Sequence, residues 1–225
     1  MGEAVGSMLA SAVGIAISPP ALIAMVLMLA APRGRALGLA FAAGWAVGLA
    51  AVVAVVVAAG SALGPGVGRP AWPYWPYWLK LALGVLFVLM AGKQWRDRPR
   101  EGHVTAPPRW MREVDRFSAG RSAGLAVVLV GASPKNLALA VGGAASIAAS
   151  TAGVGGTVAA AALMVLVGSL CTLLPLGVHL FGGDRSARAL GEWKAWLATH
   201  STAITTTVLA VLGAEYVGDA VTGLG

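Results

Sequence analysis

Charge is what this sequence has least of: Asp, Glu, Lys and Arg make up 11% of its 225 residues, against about 25% in an ordinary soluble domain. With 58% hydrophobic residues beside that shortage, a soluble enzyme and a disordered chain are both excluded. Cysteine is scarcer still. The one thiol, Cys171, lies inside an apolar run, which rules out an intramolecular disulfide and a disulfide scaffold. No Cys pair is present, and no His has a matching His or acid at ligand spacing, so no metal is expected. No glycine-rich phosphate loop occurs, so ATP is not expected as an energy source within the chain, nor any other cofactor. The 31 glycines follow no Gly-X-Y period, which excludes a collagen. Acidic residues are the rarer sign, nine against sixteen basic ones, for a net charge of +7.

What is present is long apolar runs, with a mean hydropathy of +0.80. Six segments stand out: Ala4 to Ala31, Ala36 to Ala59, Tyr77 to Gly92, Ser122 to Ala149, Gly155 to Leu180 and His200 to Val221. A bilayer core of about 30 Å takes about 20 helical residues. The expected architecture is therefore an all-α polytopic membrane protein of six transmembrane helices in one membrane domain over residues 1–225. Trp72, Tyr74, Trp75, Tyr77 and Trp78 form one interfacial aromatic belt, with Pro70, Pro73 and Pro76 keeping the lead-in extended. Met1-Gly2-Glu3 is an acidic start, and the apolar run after it is too long for a cleaved signal peptide.

Orientation follows from the basic residues. Arg33 and Arg35, then Lys93 to Arg121, then Arg185, Arg188 and Lys194 occupy alternate loops and hold thirteen of the sixteen. Arg69 and Lys80 lie on the other side, and Lys135 lies within a span. This asymmetry places both termini outside and the basic loop, about residues 93–121, in the cytoplasm. It also assigns the positive charge to an anionic inner leaflet rather than to nucleic acid. Two stretches near that face read as short interfacial amphipathic helices. Trp110, Met111, Val114 and Phe117 share one face, and Trp193, Trp196 and Leu197 share a face between Glu192 and His200. They either anchor the loops or gather anionic lipid headgroups.

The chain also repeats itself. At an offset of 115 residues, Ser18-Pro19 meets Ser133-Pro134, and Leu22, Val26 and Ala30 meet Leu137, Val141 and Ala145. Three spans separate the first span of each half, so the halves, about 4–92 and 122–221, insert upside down relative to each other. That is the pattern of a 3+3 inverted-repeat transporter. Proline inside a helix removes a donor and clashes with the carbonyl four residues back. Pro19 and Pro20 should free the carbonyls of Ile15 and Ala16, and Pro134 that of Val130. Freed carbonyls in hydrocarbon need protein or a water-filled cavity around them. Ser18, Pro19, Pro20, Ser133, Pro134, Lys135 and Asn136 are accordingly the candidate substrate-binding residues, with structural kinks satisfied by the two serines as the plainer reading. Lysine at mid-span costs about 2.5–3.5 kcal/mol on insertion scales, so Lys135 needs a partner. Glu215 and, less well placed, Asp219 are candidate charge partners on the sixth span. Either Lys135 ties two spans together or it engages an anionic headgroup.

Other residues carry less. His179 reads as an interfacial histidine. Trp45 on the Gly44-x-x-x-Gly48 face reads as helix packing. Thr205, Thr206 and Thr207 can bond to their own helix. A Ser133–His179 hydrolase pair lacks a third member and an oxyanion loop, so no catalytic residues and no enzyme activity are expected.

The stretch Pro108-Arg109-Trp110-Met111-Arg112-Glu113-Val114-Asp115-Arg116-Phe117, followed by Gly124-Leu125 and Ser133-Pro134-Lys135-Asn136-Leu137, resembles the GAP family, which includes the sulfolipid-addressing proteins of actinobacteria. Ser18-Pro19-Pro20, Pro32-Arg33-Gly34-Arg35 and Gly44-Trp45 are similar to the first two spans of that family. The family's usual Asn-Pro-Lys-Asn stands here with Ser133 in the first place. The Pro-Lys element is also distantly similar to the lysine-exporter superfamily. The resemblance implies a multi-pass inner-membrane protein that moves or addresses a glycolipid or similar amphiphile toward the cell surface. Its expected partners are membrane lipids and an anionic amphiphile, with a homo-oligomer or a larger lipid-export machine around it. An exporter of a small solute such as an amino acid, and a non-transporting accessory subunit, are the alternatives.

Overall fold

The computed structural model describes residues 2–62, 75–96, 117–150 and 153–224. Nine α-helices are present among them: α1 (Gly2–Ala16), α2 (Pro19–Ala30), α3 (Gly34–Ala62), α4 (Trp75–Arg96), α5 (Ala119–Gly131), α6 (Pro134–Ala148), α7 (Val154–Gly168), α8 (Leu170–Phe181) and α9 (Ser186–Leu224), with one 3₁₀ turn at Gly183–Arg185. No strand occurs among the described residues. Gly34–Gly60 of α3, Tyr77–Arg96 of α4 and Thr199–Leu224 of α9 are each long and apolar enough to cross a membrane. Three further pairs qualify together and bend between their parts: α1 with α2 by 46°, α5 with α6 by 71°, and α7 with α8 by 59°. Counting each bent pair as one span gives six. Large apolar side chains such as Leu39, Val47, Val55, Leu89, Val158, Leu166 and Val211 point outward. An apolar perimeter around an apolar core is what hydrocarbon on both sides demands, and the chain is a multi-pass membrane protein.

Two of the bends start from proline. Residues ahead of a proline avoid the helical region, and Ser18 (φ −117°, ψ 93°) and Ser133 (φ −84°, ψ 109°) are extended. Pro19 and Pro134 then open the next helix, the one helical position where a missing N–H costs nothing. The third bend was not expected, because the fifth apolar segment reads as one unbroken span. It falls at Gly168-Ser169, and kinks at Gly/Ser pairs are a known class. Here the carbonyl of Gly168 accepts from Trp45 Nε1 at 3.1 Å, and Thr172 Oγ1 bonds the carbonyl of Ser169 at 2.8 Å.

A second correction concerns Glu192 to His200. This stretch is not a separate interfacial helix but part of the 39-residue α9. No proline interrupts the chain from Ser186 to Leu224, so nothing stops the helix from running through. The other expected amphipathic stretch, Trp110 to Val114, lies outside the described residues, as do Pro70, Trp72, Pro73 and Tyr74 of the aromatic belt.

Small residues set the packing. A Cβ on Gly44 would run into the backbone of Ala123, and one on Gly48 would press on Val127 Cα, so α3 and α5 lie in close contact along that face. Ser122 Oγ donates to Leu37 O across the same seam at 2.8 Å. Gly84 sits equally close to Gly213 and Val217, locking α4 against α9, and Phe87 meets Tyr216 with ring centroids 5.6 Å apart. α1 packs on α6 and α7 in the middle of the bundle, which brings the ends of the half-helices together.

Candidate functional site

Where α1 stops, its last carbonyls have no helical partner. Four such groups are orphaned at any helix C-terminus, and here the next residues turn away at Ser18 and are followed by two prolines without N–H groups. Lys135, the second residue of α6, fills the gap from the other break. Its Nζ donates to Gly14 O at 3.0 Å and to Ile17 O at 2.8 Å, and the side chain is buried. A cation at a helix C-terminus also opposes the negative end of the helix dipole. Two charge-assisted bonds of about 1.5–3 kcal/mol each are enough to offset an insertion cost of about 2.5–3.5 kcal/mol. The lysine is therefore held without any acid beside it.

That arrangement corrects one expectation. Lys135 takes the carbonyls of Gly14 and Ile17 and is not paired with Glu215 or Asp219. At the depth of Gly14, α9 presents Leu212, and Asp219 is bound to Lys80 at 2.8 Å. Glu215 lies one helical turn before Asp219 on α9, next to Tyr216, whose hydroxyl shares a 2.6 Å hydrogen bond with Ser11.

Asn136 adds a second link between the breaks. Its Nδ2 donates to Ser18 Oγ at 3.4 Å, while its Oδ1 is buried without a partner among the described residues. The two serines differ in use. Ser133 Oγ caps α6 by accepting from Asn136 N at 3.4 Å, whereas Ser18 makes no cap to α2. Ser18 Oγ leaves Ala21 N uncapped and accepts from Asn136 instead. The structure thus brings Ser18, Lys135 and Asn136 together at one junction. Pro19, Pro20, Ser133 and Pro134 shape its backbone.

Beside this junction is a groove of about 520 Å³. One wall is Ile17, Ser18, Pro19 and Leu22, and the facing wall is Trp193, Trp196, Leu197 and Ile204 of α9. Its size falls in the range of small-molecule sites, about 300–1,000 Å³. A cavity of similar volume, about 540 Å³, runs along Val88, Leu89, Gly92, Lys93 and Arg96, all on α4. The groove escaped sequence reasoning because its walls are 170 residues and more apart. The one available signal was the shared face of Trp193, Trp196 and Leu197.

Of the lesser candidates, Trp45 is fully buried, in keeping with a packing role, and its Nε1 also serves the third bend. His179 is half-buried in the last turn of α8. Thr206 Oγ1 is buried without a partner among the described residues, so the threonine run is not wholly satisfied by its own helix.

No curated protein and no solved structure matches the chain. The model of one protein family, that of Sap, sulfolipid-1-addressing protein, matches residues 8–222. That match takes in the first break, the second break and all but the last two residues of the α9 span, and the chain belongs to the sulfolipid-1-addressing protein family.

Proposed function

We propose that this protein carries an anionic amphiphile, a glycolipid or similar lipid, across the inner membrane toward the cell surface. The observation that carries the reading is the Lys135–Asn136 junction. A buried ammonium and an unpartnered amide oxygen sit between two broken helices, beside a groove of lipid-like character. The name of the family points the same way, since its namesake addresses a sulfolipid. In this reading the chain is one membrane domain of six spans, built as a 3+3 inverted repeat over about 4–92 and 122–221, with both termini outside. The two halves rock about Ser18-Pro19-Pro20 and Ser133-Pro134. During the cycle Lys135 releases the carbonyl of Ile17 and takes the anionic headgroup, so the α1 carbonyls and the headgroup compete for one cation. No bond is made or broken in the substrate, and the chain acts as a carrier rather than an enzyme.

Reconstitution tests it. Purified protein in liposomes should move a fluorescent anionic glycolipid between leaflets, read by a membrane-impermeant quencher, and Lys135→Met should abolish that movement. A pure protein that moves no lipid but supports export when its cellular partners are present would make it an accessory subunit. Movement of amino acids in place of lipid would make it a solute exporter. Single cysteines test the orientation: an impermeant thiol reagent should reach position 154 in intact cells and position 188 only after lysis.

A further inference from the structure

The groove beside the first break has a direction. α4 and α9 run antiparallel, with Tyr77 against Gly223, Lys80 against Asp219 and Gly84 against Gly213. The α4 end that carries Lys93 and Arg96 therefore faces the earlier part of α9. Leu212 lies at the level of Gly14, and Trp196 precedes it by sixteen residues. At 1.5 Å per residue that is about 24 Å along the helix, beyond the half-thickness of about 15 Å of a bilayer core. The tryptophans accordingly mark the groove's mouth near the interface on the Lys93 and Arg96 side. Ser18 marks its inner end, where Lys135 holds the carbonyl of Ile17.

We infer that this groove binds the alkyl chain of an anionic amphiphile entering from the leaflet at that end, with Trp193 and Trp196 as substrate-contacting residues. The inference rests on the lipid-carrier reading and specifies its chain-binding surface. Apart from Ser18 the walls are apolar, so they offer an alkyl chain contact along the whole path and a headgroup almost nothing. Charge at the mouth suits an anion. Exposed Lys93, Arg96, Arg185 and Arg188 and half-buried Lys194 lie at this end, with exposed Glu192 among them. The mouth is also stiffened in advance, because Trp196 stacks on His200 with ring centroids 4.6 Å apart, and His200 Nδ1 lies 2.8 Å from Trp196 O. A ring ordered before binding loses less freedom when the chain arrives. At the inner end, the residues that touch the chain are the ones that Lys135 and Asn136 hold. Filling the groove thus acts directly on Ile17 and Ser18, and through them on the junction.

The test uses the full chain in phosphatidylcholine nanodiscs with a diazirine-bearing dodecyl phosphate, and locates the labelled peptides by mass spectrometry. Labelling around Trp193–Leu197 and Ile17–Leu22 should saturate and be displaced by dodecyl phosphate, and poorly by dodecanol. Labelling of the outward face Val154–Val158 should rise without saturating, as for any bilayer-facing surface. Trp193→Ala with Trp196→Ala should weaken the saturable labelling about tenfold. Both rings are exposed, so the change removes no core packing. Groove labelling that rises without limit, or equal displacement by dodecanol, overturns the inference. Failure of the broader reading looks different: saturable groove labelling in a protein that moves no lipid in liposomes leaves the groove standing and removes the carrier. Lipid movement unchanged in the double variant removes the groove and leaves the carrier.

Discussion

The two proline breaks share a Ser-Pro signature yet face each other with opposite chemistry. At the first, two prolines follow Ser18, so the first two residues of the new helix bring no N–H donor and the old one ends in carbonyls that lack helical partners. At the second, a single proline is followed by Lys135 and Asn136, which carry donors both on the backbone and on their side chains. The first break is an acceptor and the second a donor, and they interlock through Gly14, Ile17 and Ser18. Their bends differ as well, 46° against 71°. A repeated motif therefore does not imply repeated roles. One substitution of polarity, Lys135-Asn136 where the first break has Pro20-Ala21, turns two kinks into a lock and its key.

Lys135→Met attacks that comparison hardest. It leaves the carbonyls of Gly14 and Ile17 bare in an apolar interior, each worth about 1–3 kcal/mol, so a loss of roughly 3 kcal/mol in unfolding free energy is expected in detergent. Adding Glu215→Gln should restore nothing, because the acid is not the partner that was lost. Rescue by the double variant would reinstate a Lys–Glu pair and dissolve the donor–acceptor contrast. Next in size is the third bend, which has no proline and relies on a side chain instead. Trp45→Phe removes the bond to Gly168 O while keeping most of the ring, and should cost about 1 kcal/mol, visible as a lowered melting temperature. A cycle of Ser18→Ala and Asn136→Ala should show a coupling of about 0.5–1 kcal/mol. Zero coupling would mean that the link between the breaks runs through Lys135 alone. The smallest change is expected for Pro134→Ala. Since Pro134 opens α6 rather than interrupting it, stability should shift by under about 1 kcal/mol. Lipid movement in liposomes then reports whether the break matters for function apart from folding.

How much of this could be read from residues varies by feature. The breaks at Ser18 and Ser133 were visible because proline acts on its own helix. The bend at Gly168-Ser169 was not, since a Gly/Ser pair permits a kink without compelling one, and Trp45, more than a hundred residues earlier, holds it. The continuity of α9 was legible in principle. No breaker stands between Ser186 and Leu224, and the amphipathic face of Trp193 and Trp196 misled by suggesting a separate element. Of the candidate site, Ser18, Lys135 and Asn136 do converge, but the expected acid partner does not join them.

Apolar length, the scarcity of charge and the position of proline by themselves determined a polytopic helical protein with two broken spans. These are local demands: hydrocarbon requires helical backbone, and proline denies it a donor at a known place. Which group answers each unmet hydrogen bond was decided only in three dimensions. Lys135 could reach an acid or a carbonyl equally well by composition. It reaches carbonyls because packing sets Leu212, not Glu215, beside Gly14 and leaves the end of α1 open to α6.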